Sequence, residues 1–228
     1  RRFVLTSVGE KVAELAAPIA LQAAAIVQLA RTGATDLRAH VRISAPPALS
    51  SMLLARPLVD LRRRHPGIQV TLVGEKRFAS LNRREADIAV RLSRPEEGDY
   101  VIMKVGEIGF HLYAAEDYLS SIPPEEWTFI GYDESMNAAA QQIRLLEIAA
   151  GRPVALRSSV LEFQAAAARA GGGVVMLPDF ATEQSPGLRR VEEEAALTRD
   201  VWLVVHSQIK DVPAIRSVVD ALKSAFRR

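Results

Sequence analysis

The stretch VRISAPPALSSMLLARPLVDLRRRHPGIQVTL at residues 41–72, with LNRREADIAVRL at residues 81–92, decides the fold. Apolar and polar residues alternate in 41–44 and again in 68–72, which predicts two strands. Residues 87–92 are more continuously apolar, as in a buried parallel strand. With a helix between each pair of strands, the stretch predicts a βαβαβ unit. Such units bind ligands in a crevice at the carboxyl ends of their strands.

The first helix of this unit is predicted over residues 49–64. Pro46 and Pro47 end the preceding strand because neither donates a sheet hydrogen bond. Leucines then recur at helical spacing, and the arginines at 62–64 complement the helix dipole at its C-terminal end. The N-terminus of this helix therefore faces the crevice, where free N–H groups favour anions.

Composition narrows the functional classes. The chain has 228 residues, of which 49% are hydrophobic, enough for one large domain or two small ones. No apolar run reaches the roughly 18 residues that a membrane span needs. The absence of cysteine excludes disulfides and thiolate metal sites and is compatible with a reducing cytoplasm. A net charge of +2 is too small to indicate nucleic-acid binding by itself.

A long helix is predicted from Gly9 to about Arg31. Thr6 or Ser7 caps it, and Glu10 completes a capping-box pattern with Ser7. Pro18 lies in its interior, where we expect a kink rather than a break. The chain opens without Met in what reads as a strand, which suggests a trimmed N-terminus. An ordinary domain helix and an exposed dimerisation helix both fit, and the turn-like residues 32–36 that follow favour the second.

The second half of the chain repeats the same alternation of strands and helices. Strands are predicted at 109–114, 127–132, 154–157, 174–177 and 201–205, and helices at 116–119, 138–150, 161–170 and 213–226. The last helix is amphipathic. These elements predict a second small α/β unit.

Short motifs in order along the chain resemble those of LysR-type transcriptional regulators. They are LTSVGE at 5–10 before the long helix, HPGIQV at 65–70, ADIAVR at 86–91, AAEDYL at 114–119 and AGGGVVMLP at 170–178. Together they cover nearly all of the chain, beginning at the end of the family's DNA-binding wing and its linker helix.

The resemblance implies a two-lobed α/β fold like that of periplasmic binding proteins. Residues 1–36 would be the end of the wing and the linker or dimerisation helix, 37–107 with 206–228 subdomain I, and 108–205 subdomain II. Two Rossmann-like subdomains would be joined by crossover strands near 105–113 and 200–206, with the effector between the lobes.

The resemblance also implies the partners of the protein. These are DNA through the full-length protein, a small-molecule effector and further copies in a homodimer or homotetramer, in the cytoplasm and away from any membrane. Most of the winged helix-turn-helix would be missing from this chain. Arg1 and Arg2, at the end of the wing, are the candidates for DNA contact.

Candidate effector contacts in the first lobe follow from its predicted strand ends. They are Ser44, Leu49, Ser50, Glu75 and Arg91. Pro46, Pro47 and Ala48 occupy the stretch where the family often has a hydroxyl residue, so either the hydroxyl contact moves to Ser50 or the ligand is less acidic than in other members of the family. Ser50 itself is either a ligand contact or a helix cap. Arg91 is either a partner for an acidic effector or part of a structural ion pair. Glu75 either reaches the cleft or is solvated.

In the second lobe the candidate contacts are Tyr132, Ser158, Ser159 and Pro178. Ser158 and Ser159 lie between a strand and a helix, so that anion binding and helix capping are both open.

Catalysis and metal binding have little support in the sequence. The histidines at 40, 65, 111 and 206 are scattered and show no metal-ligand spacing. The glycines at 171–173 lack the Lys-Ser/Thr pair of a phosphate loop. We therefore expect no cofactor, no metal and no enzyme activity. The alternative function is a solute-binding protein of a transport system, but residues 1–36 read as a capped helix rather than as a signal peptide.

Overall fold

The computed structural model describes residues 6–31, 37–74, 86–95, 98–182 and 187–226. The chain divides into two compact units. Unit 1 comprises Arg1–Gly106 and Asp200–Arg228, and unit 2 comprises Glu107–Arg199. The first boundary lies one residue from the expected one, whereas the second lies six residues earlier than expected. Each unit is described by itself.

The described residues form nine strands. They are β1 (Ala39–Ala45), β2 (Ile68–Gly74), β3 (Ile88–Arg91), β4 (Tyr100–Ala115), β5 (Phe129–Gly131), β6 (Val154–Arg157), β7 (Val174–Pro178), β8 (Leu188–Arg190) and β9 (Leu197–His206).

The described residues form eight α-helices, the first before β1 and the last after β9. They are α1 (Ser7–Arg31), α2 (Pro47–Leu49), α3 (Ala55–Arg64), α4 (Glu116–Ser121), α5 (Ala140–Ala149), α6 (Leu161–Arg169), α7 (Asp179–Thr182) and α8 (Pro213–Ser224). A π-helical segment, Ser50–Leu54, joins α2 to α3. The helix expected between β2 and β3 lies outside the described residues.

Helix α1 confirms the long N-terminal helix, with Pro18 inside it. Its cap is Thr6, whose Oγ1 accepts a hydrogen bond from Gly9 N at 3.2 Å. Of the two capping candidates, Thr6 rather than Ser7 therefore stabilises the first turn.

Unit 1 contains the predicted βαβαβ strands. Its strand order is β2-β1-β3-β9-β4. β1 pairs in parallel with β2 and β3, and β3 pairs antiparallel with β9. Amphipathic α8 packs on α3 and β1 through buried residues that include Ile215 and Leu222. The carboxyl ends of β1 and β3 consequently meet at one edge of the sheet, next to the start of α2.

Unit 2 repeats this arrangement on a smaller scale. Its strand order is β4-β7-β5-β6, and β8 pairs with β4. β5 is parallel to both β6 and β7. Helices α5 and α6 pack on β5 and β7. Gly173 introduces β7 with φ +132°, and a Cβ there would lie 2.5 Å from the Thr128 carbonyl oxygen, so this close turn requires glycine.

The two long strands β4 and β9 confirm the expected crossover strands, although each is longer than predicted. β4 begins in unit 1 and ends in unit 2, whereas β9 runs from unit 2 back to unit 1. None of the helices within the described ranges is long and apolar enough to cross a membrane.

Candidate functional site

In unit 1, the candidate site centres on a hydrogen-bonded pair at the carboxyl ends of β1 and β3. Arg91 is 5% exposed and Ser44 is completely buried. Arg91 Nη2 donates to Ser44 Oγ at 2.8 Å, and Nη1 donates to the carbonyl oxygens of Ser44 at 2.9 Å and Val90 at 2.8 Å. The pair places a buried guanidinium between two neighbouring strands.

Helix α2 begins beside this pair without a side-chain cap. Its N-cap is Pro46, and Pro47 opens the first turn. Leu49 is 1% exposed and packs in the core, so the structure places this candidate away from any ligand. Ser50 is not the N-cap, because α2 begins at Pro47 and the Ser50 hydroxyl donates to the Pro46 carbonyl oxygen at 2.9 Å from within the helix.

The π-helical segment starts at Ser50. Such segments are frequent at functional sites, and serine hydroxyls that bond to a preceding carbonyl bend helices. Ser51 makes the same kind of bond, to the carbonyl oxygens of Pro47 and Ala48. The irregular start of this helix thus lies where the strand ends converge.

An aromatic side chain completes this edge of unit 1. Trp202 on β9 pairs in register with Arg91. The Arg94 guanidinium lies 5.6 Å from the centre of the Trp202 ring, within the range of a cation–π contact. The other candidates of the first lobe and of the wing, Glu75, Arg1 and Arg2, lie outside the described residues.

In unit 2, the candidates cluster at the carboxyl ends of the parallel strands. Tyr132 follows β5, Ser158 follows β6, and Pro178 ends β7. Ser158 N donates to the Gly131 carbonyl oxygen at 3.0 Å, which holds the ends of β5 and β6 together. The structure therefore brings Tyr132 and Ser158 to one edge of the sheet, as the strand ends predicted.

Three side chains hold Tyr132 in place. Its backbone N–H donates to Gln142 Oε1 at 2.8 Å, and its carbonyl oxygen accepts from Arg157 Nη1 at 3.3 Å. The side chain of Gln141 interacts with its hydroxyl. Burial raises the pKa of Tyr132 by more than the interaction with Gln141 lowers it, so the phenol stays protonated at neutral pH.

Behind Tyr132, buried polar groups continue to the crossover strand. Gln141 Oε1 accepts from Arg199 Nη1 at 2.9 Å. Burial lowers the pKa of Arg199, partly offset by Tyr132. Gln142 is completely buried, and within the described residues its Nε2 atom has no hydrogen-bond partner.

Ser158 does not cap α6. Its Oγ accepts from Val160 N at 3.1 Å, and its carbonyl oxygen accepts from Gln164 Nε2 at 2.6 Å. Val160 is the N-cap residue and makes no side-chain cap. Ser159 is partly exposed beside these groups. Ser158 therefore forms a local turn before α6 instead of the helix cap that was the alternative for it.

A second polar cluster anchors the end of β7 to β4. His111 Nδ1 lies 2.6 Å from Asp179 Oδ1, and the Tyr113 hydroxyl donates to the same oxygen at 3.0 Å. Arg190 on β8 lies 3.4 Å from that oxygen. Burial raises the pKa of Tyr113. Because these groups bond to one another, the cluster fixes the position of Pro178, the residue before Asp179.

Strand-end reasoning missed several polar residues of both edges. They are Arg94, Gln141, Gln142, Arg199 and Trp202. Two adjacent glutamines near the start of a predicted helix were the signal available for the buried amides, since buried amides must find partners.

Comparison with known proteins identifies the family. The model of the LysR substrate binding domain matches residues 34–227. The chain therefore belongs to the LysR substrate-binding domain family, with the two-subdomain fold of periplasmic binding proteins.

Individual relatives agree with this classification. The chain is 26% identical over 188 residues to the Mau operon transcriptional activator of Paracoccus denitrificans, which covers 82% of this chain and 65% of that protein. The chain thus spans somewhat less than two thirds of the length of this relative.

Two solved structures share the fold. CrgA, a LysR-type transcriptional regulator from Neisseria meningitidis, matches with TM-score 0.70 and 20% identity over 100% of this chain and 82% of that chain. The regulatory domain of Synechocystis CcmR, solved in complex with 2-PG, matches with TM-score 0.69 and 15% identity over 83% and 98% of the two chains.

Proposed function

We propose that this chain is the effector-binding part of a cytoplasmic, DNA-binding transcriptional regulator that responds to a small molecule. The family match over residues 34–227 carries the proposal. The relatives described above are transcriptional regulators, which favours this function over the alternatives of a solute receptor and an enzyme.

The effector contacts that we propose lie at the strand ends of each unit. Unit 1 contributes the neighbourhood of Ser44, Ser50 and Arg91, and unit 2 that of Tyr132 and Ser158, with Ser159 and Pro178 beside them. Arg91 gives the edge of unit 1 a buried guanidinium, and the edge of unit 2 carries the hydroxyl groups of Tyr132 and Ser158, so the preferred ligand carries an acceptor or anionic group. CcmR, solved in complex with 2-PG, is a relative that binds a small molecule.

Helix α1 supports dimer formation. Val8, Val12, Leu15 and Ile19 recur at spacings of four, three and four residues, and each is between 59% and 69% exposed. A continuous apolar stripe on an exposed helix is stabilised when a second copy covers it. We propose that α1 pairs with α1 of another copy, in a dimer or in a tetramer built from dimers, and that the whole protein contacts DNA through a separate winged helix-turn-helix.

A thermal-shift screen tests effector binding. The panel contains acetate, succinate, benzoate, salicylate, several amino acids and sugars, and 2-PG. We expect at least one anionic compound to raise the melting temperature, because a ligand that binds only the folded state stabilises it by mass action. A panel without any concentration-dependent shift would contradict the proposed function.

Sedimentation velocity tests the dimer. Leu15→Asp places a charge in the centre of the apolar stripe, and we expect the variant to sediment as a monomer where the parent chain is a dimer. The matched control is Ala17→Asp, an exposed position on the opposite side of α1, which should leave the dimer intact. Equal dissociation of both variants would refute the role of the stripe.

A further inference from the structure

Two arginines lie at the carboxyl end of β3, and the structure gives them different surroundings. Arg91 is buried and donates to the Ser44 hydroxyl and to two main-chain carbonyl oxygens. Arg94, three residues further along the chain, is exposed. Because Arg91 is held inside the sheet edge by acceptors of its own unit, a ligand that arrives from solvent meets the guanidinium of Arg94 first.

Two features restrict Arg94 although it is exposed. Its Cζ atom lies 5.6 Å from the centre of the Trp202 ring, and tryptophan is the best aromatic partner of a cation. Pro95 follows Arg94, and a residue before proline is confined to extended backbone conformations. Trp202 itself is held in β9, where it pairs in register with Arg91. The long side chain of Arg94 is therefore restrained by a ring that belongs to the sheet.

The contact with Trp202 does not use the hydrogen-bond donors of Arg94. A guanidinium carries five N–H groups in a planar fork, and it interacts with a ring through its charge. In the part of the chain that the structure describes, Arg94 makes no hydrogen bond and no ion pair. The fork of an arginine matches a carboxylate or a phosphate with two parallel bonds. Arg94 thus has the donors that bidentate binding of an oxyanion requires.

We propose that Arg94, positioned by Trp202, is the contact of unit 1 for a carboxylate or phosphate group of the effector, and that Arg91 instead joins the ends of β1 and β3. The inference rests on the proposed function and names the ligand chemistry of unit 1. Arg94 binds the ligand, whereas Trp202 is a positioning residue. A donor that is already restrained loses less entropy when a ligand binds.

Exposed arginines on α3 lack this combination. Arg63 Nη1 lies 3.2 Å from Asp60 Oδ1, and Arg64 Nε donates to the Asp60 carbonyl oxygen at 3.4 Å. Both arginines bind acceptors of their own helix and complement the dipole at its C-terminal end. Arg63 therefore provides a matched control, because its replacement removes the same charge from the same unit.

Five variants separate the proposed contact from a general effect of charge. Arg94→Gln removes both the charge and the fork, whereas Arg94→Lys keeps the charge without the planar fork. Trp202→Leu removes the ring, and Trp202→Phe keeps an aromatic face. Arg63→Gln is the control. Circular dichroism and urea unfolding verify that each variant is folded.

Isothermal titration measures the affinity for each compound that raises the melting temperature of the parent chain in the panel of acetate, succinate, benzoate, salicylate and 2-PG. We expect Arg94→Gln to raise the dissociation constant by about tenfold or more, and Arg94→Lys to give an intermediate loss. Trp202→Leu should raise it by about threefold, and Trp202→Phe should restore most of the affinity. Arg63→Gln should bind like the parent chain.

The indole N–H signal of Trp202 in a nitrogen-15 NMR spectrum gives a second readout, which locates the ligand. The chain has two tryptophans, so Trp127→Phe assigns the signal. We expect the compound to shift the Trp202 signal of the parent chain, because the ring lies beside Arg94. The same concentration should shift it much less in Arg94→Gln.

Each outcome has a separate meaning. If the compounds keep their affinity in Arg94→Gln, or lose as much in Arg63→Gln, Arg94 is not the contact, and effector binding stands. If Arg94→Lys binds like the parent chain, the bidentate fork is wrong. If Trp202→Leu keeps full affinity, the positioning role of Trp202 is wrong. If no compound binds the parent chain, the inference and the proposed function both fail.

Discussion

Replacing Ser44 by alanine tests the buried pair in unit 1. The substitution removes the Oγ atom that accepts from Arg91 Nη2 at 2.8 Å, and it leaves the main-chain acceptors of Nη1 in place. Ser44 is completely buried and Arg91 is 5% exposed, so water does not readily replace the lost acceptor. A hydrogen bond to a charged group contributes about 1.5–3 kcal/mol, and we expect a loss of about 2 kcal/mol in the free energy of unfolding.

Urea unfolding followed by tryptophan fluorescence measures this loss. The chain has two tryptophans, of which Trp202 lies in unit 1 and Trp127 in unit 2. In a Trp127→Phe background the signal reports unit 1 alone. With a urea dependence of about 2 kcal/mol per molar, the midpoint should fall by about 1 M.

The matched control is Ser51→Ala. Ser51 is exposed, and within the described residues its hydroxyl bonds only to the carbonyl oxygens of Pro47 and Ala48. Its loss should therefore change the free energy of unfolding by no more than about 0.5 kcal/mol. If Ser44→Ala were as mild as this control, the Ser44–Arg91 bond would not stabilise the edge of unit 1.

Two further predictions concern pH and backbone geometry. Burial raises the pKa of Asp87 above its ordinary value of 3.8, despite the hydrogen bond from Arg42 N. The protonated carboxyl therefore stabilises the folded chain fully below about pH 3.8, and this stabilisation is lost as the pH rises through the raised pKa. Asp87→Asn keeps an acceptor for Arg42 N, and its stability relative to the parent should increase between pH 4 and pH 7.5 in urea unfolding; an unchanged difference would contradict the sign. Gly173→Ala should lower the free energy of unfolding of unit 2 by about 2–3 kcal/mol, because the backbone φ is +132° and the added Cβ would clash with Thr128. Gly171→Ala should cost only about 1 kcal/mol, because φ is +81° there but no atom lies within 4 Å of the added Cβ. Trp127 fluorescence in a Trp202→Phe background measures both, and equal losses would refute the close contact.

Local sequence pattern predicted most of the elements because their apolar residues have a clear period. β6 (Val154–Arg157) was predicted with its observed bounds, and the long helix ended at Arg31 as expected. β8 and α7 were missed, since three or four residues carry no period. Their placement depends on tertiary pairing, such as that of Arg190 with Tyr113.

The candidate sites were predictable only as far as strand ends are. Ser44, Arg91, Tyr132 and Ser158 follow from the rule that parallel strands place their carboxyl ends at one edge. The hydrogen-bond partners of these residues could not be predicted from the sequence. Gln141 and Arg199 are 58 residues apart in sequence, and only the folded unit brings them together. The role of Ser50 depended on where its helix begins, and the helix begins at Pro47, three residues before Ser50.

The most direct test of the regulator function is DNA binding by the full-length protein with and without a compound that stabilises this chain. Fluorescence anisotropy on a DNA site with two-fold related halves measures the affinity, and footprinting measures the contacted length. Effector control predicts that the compound changes the DNA affinity or the footprint, and that DNA reciprocally changes the affinity for the compound. A compound that binds this chain tightly and leaves both unchanged would contradict effector control of DNA binding.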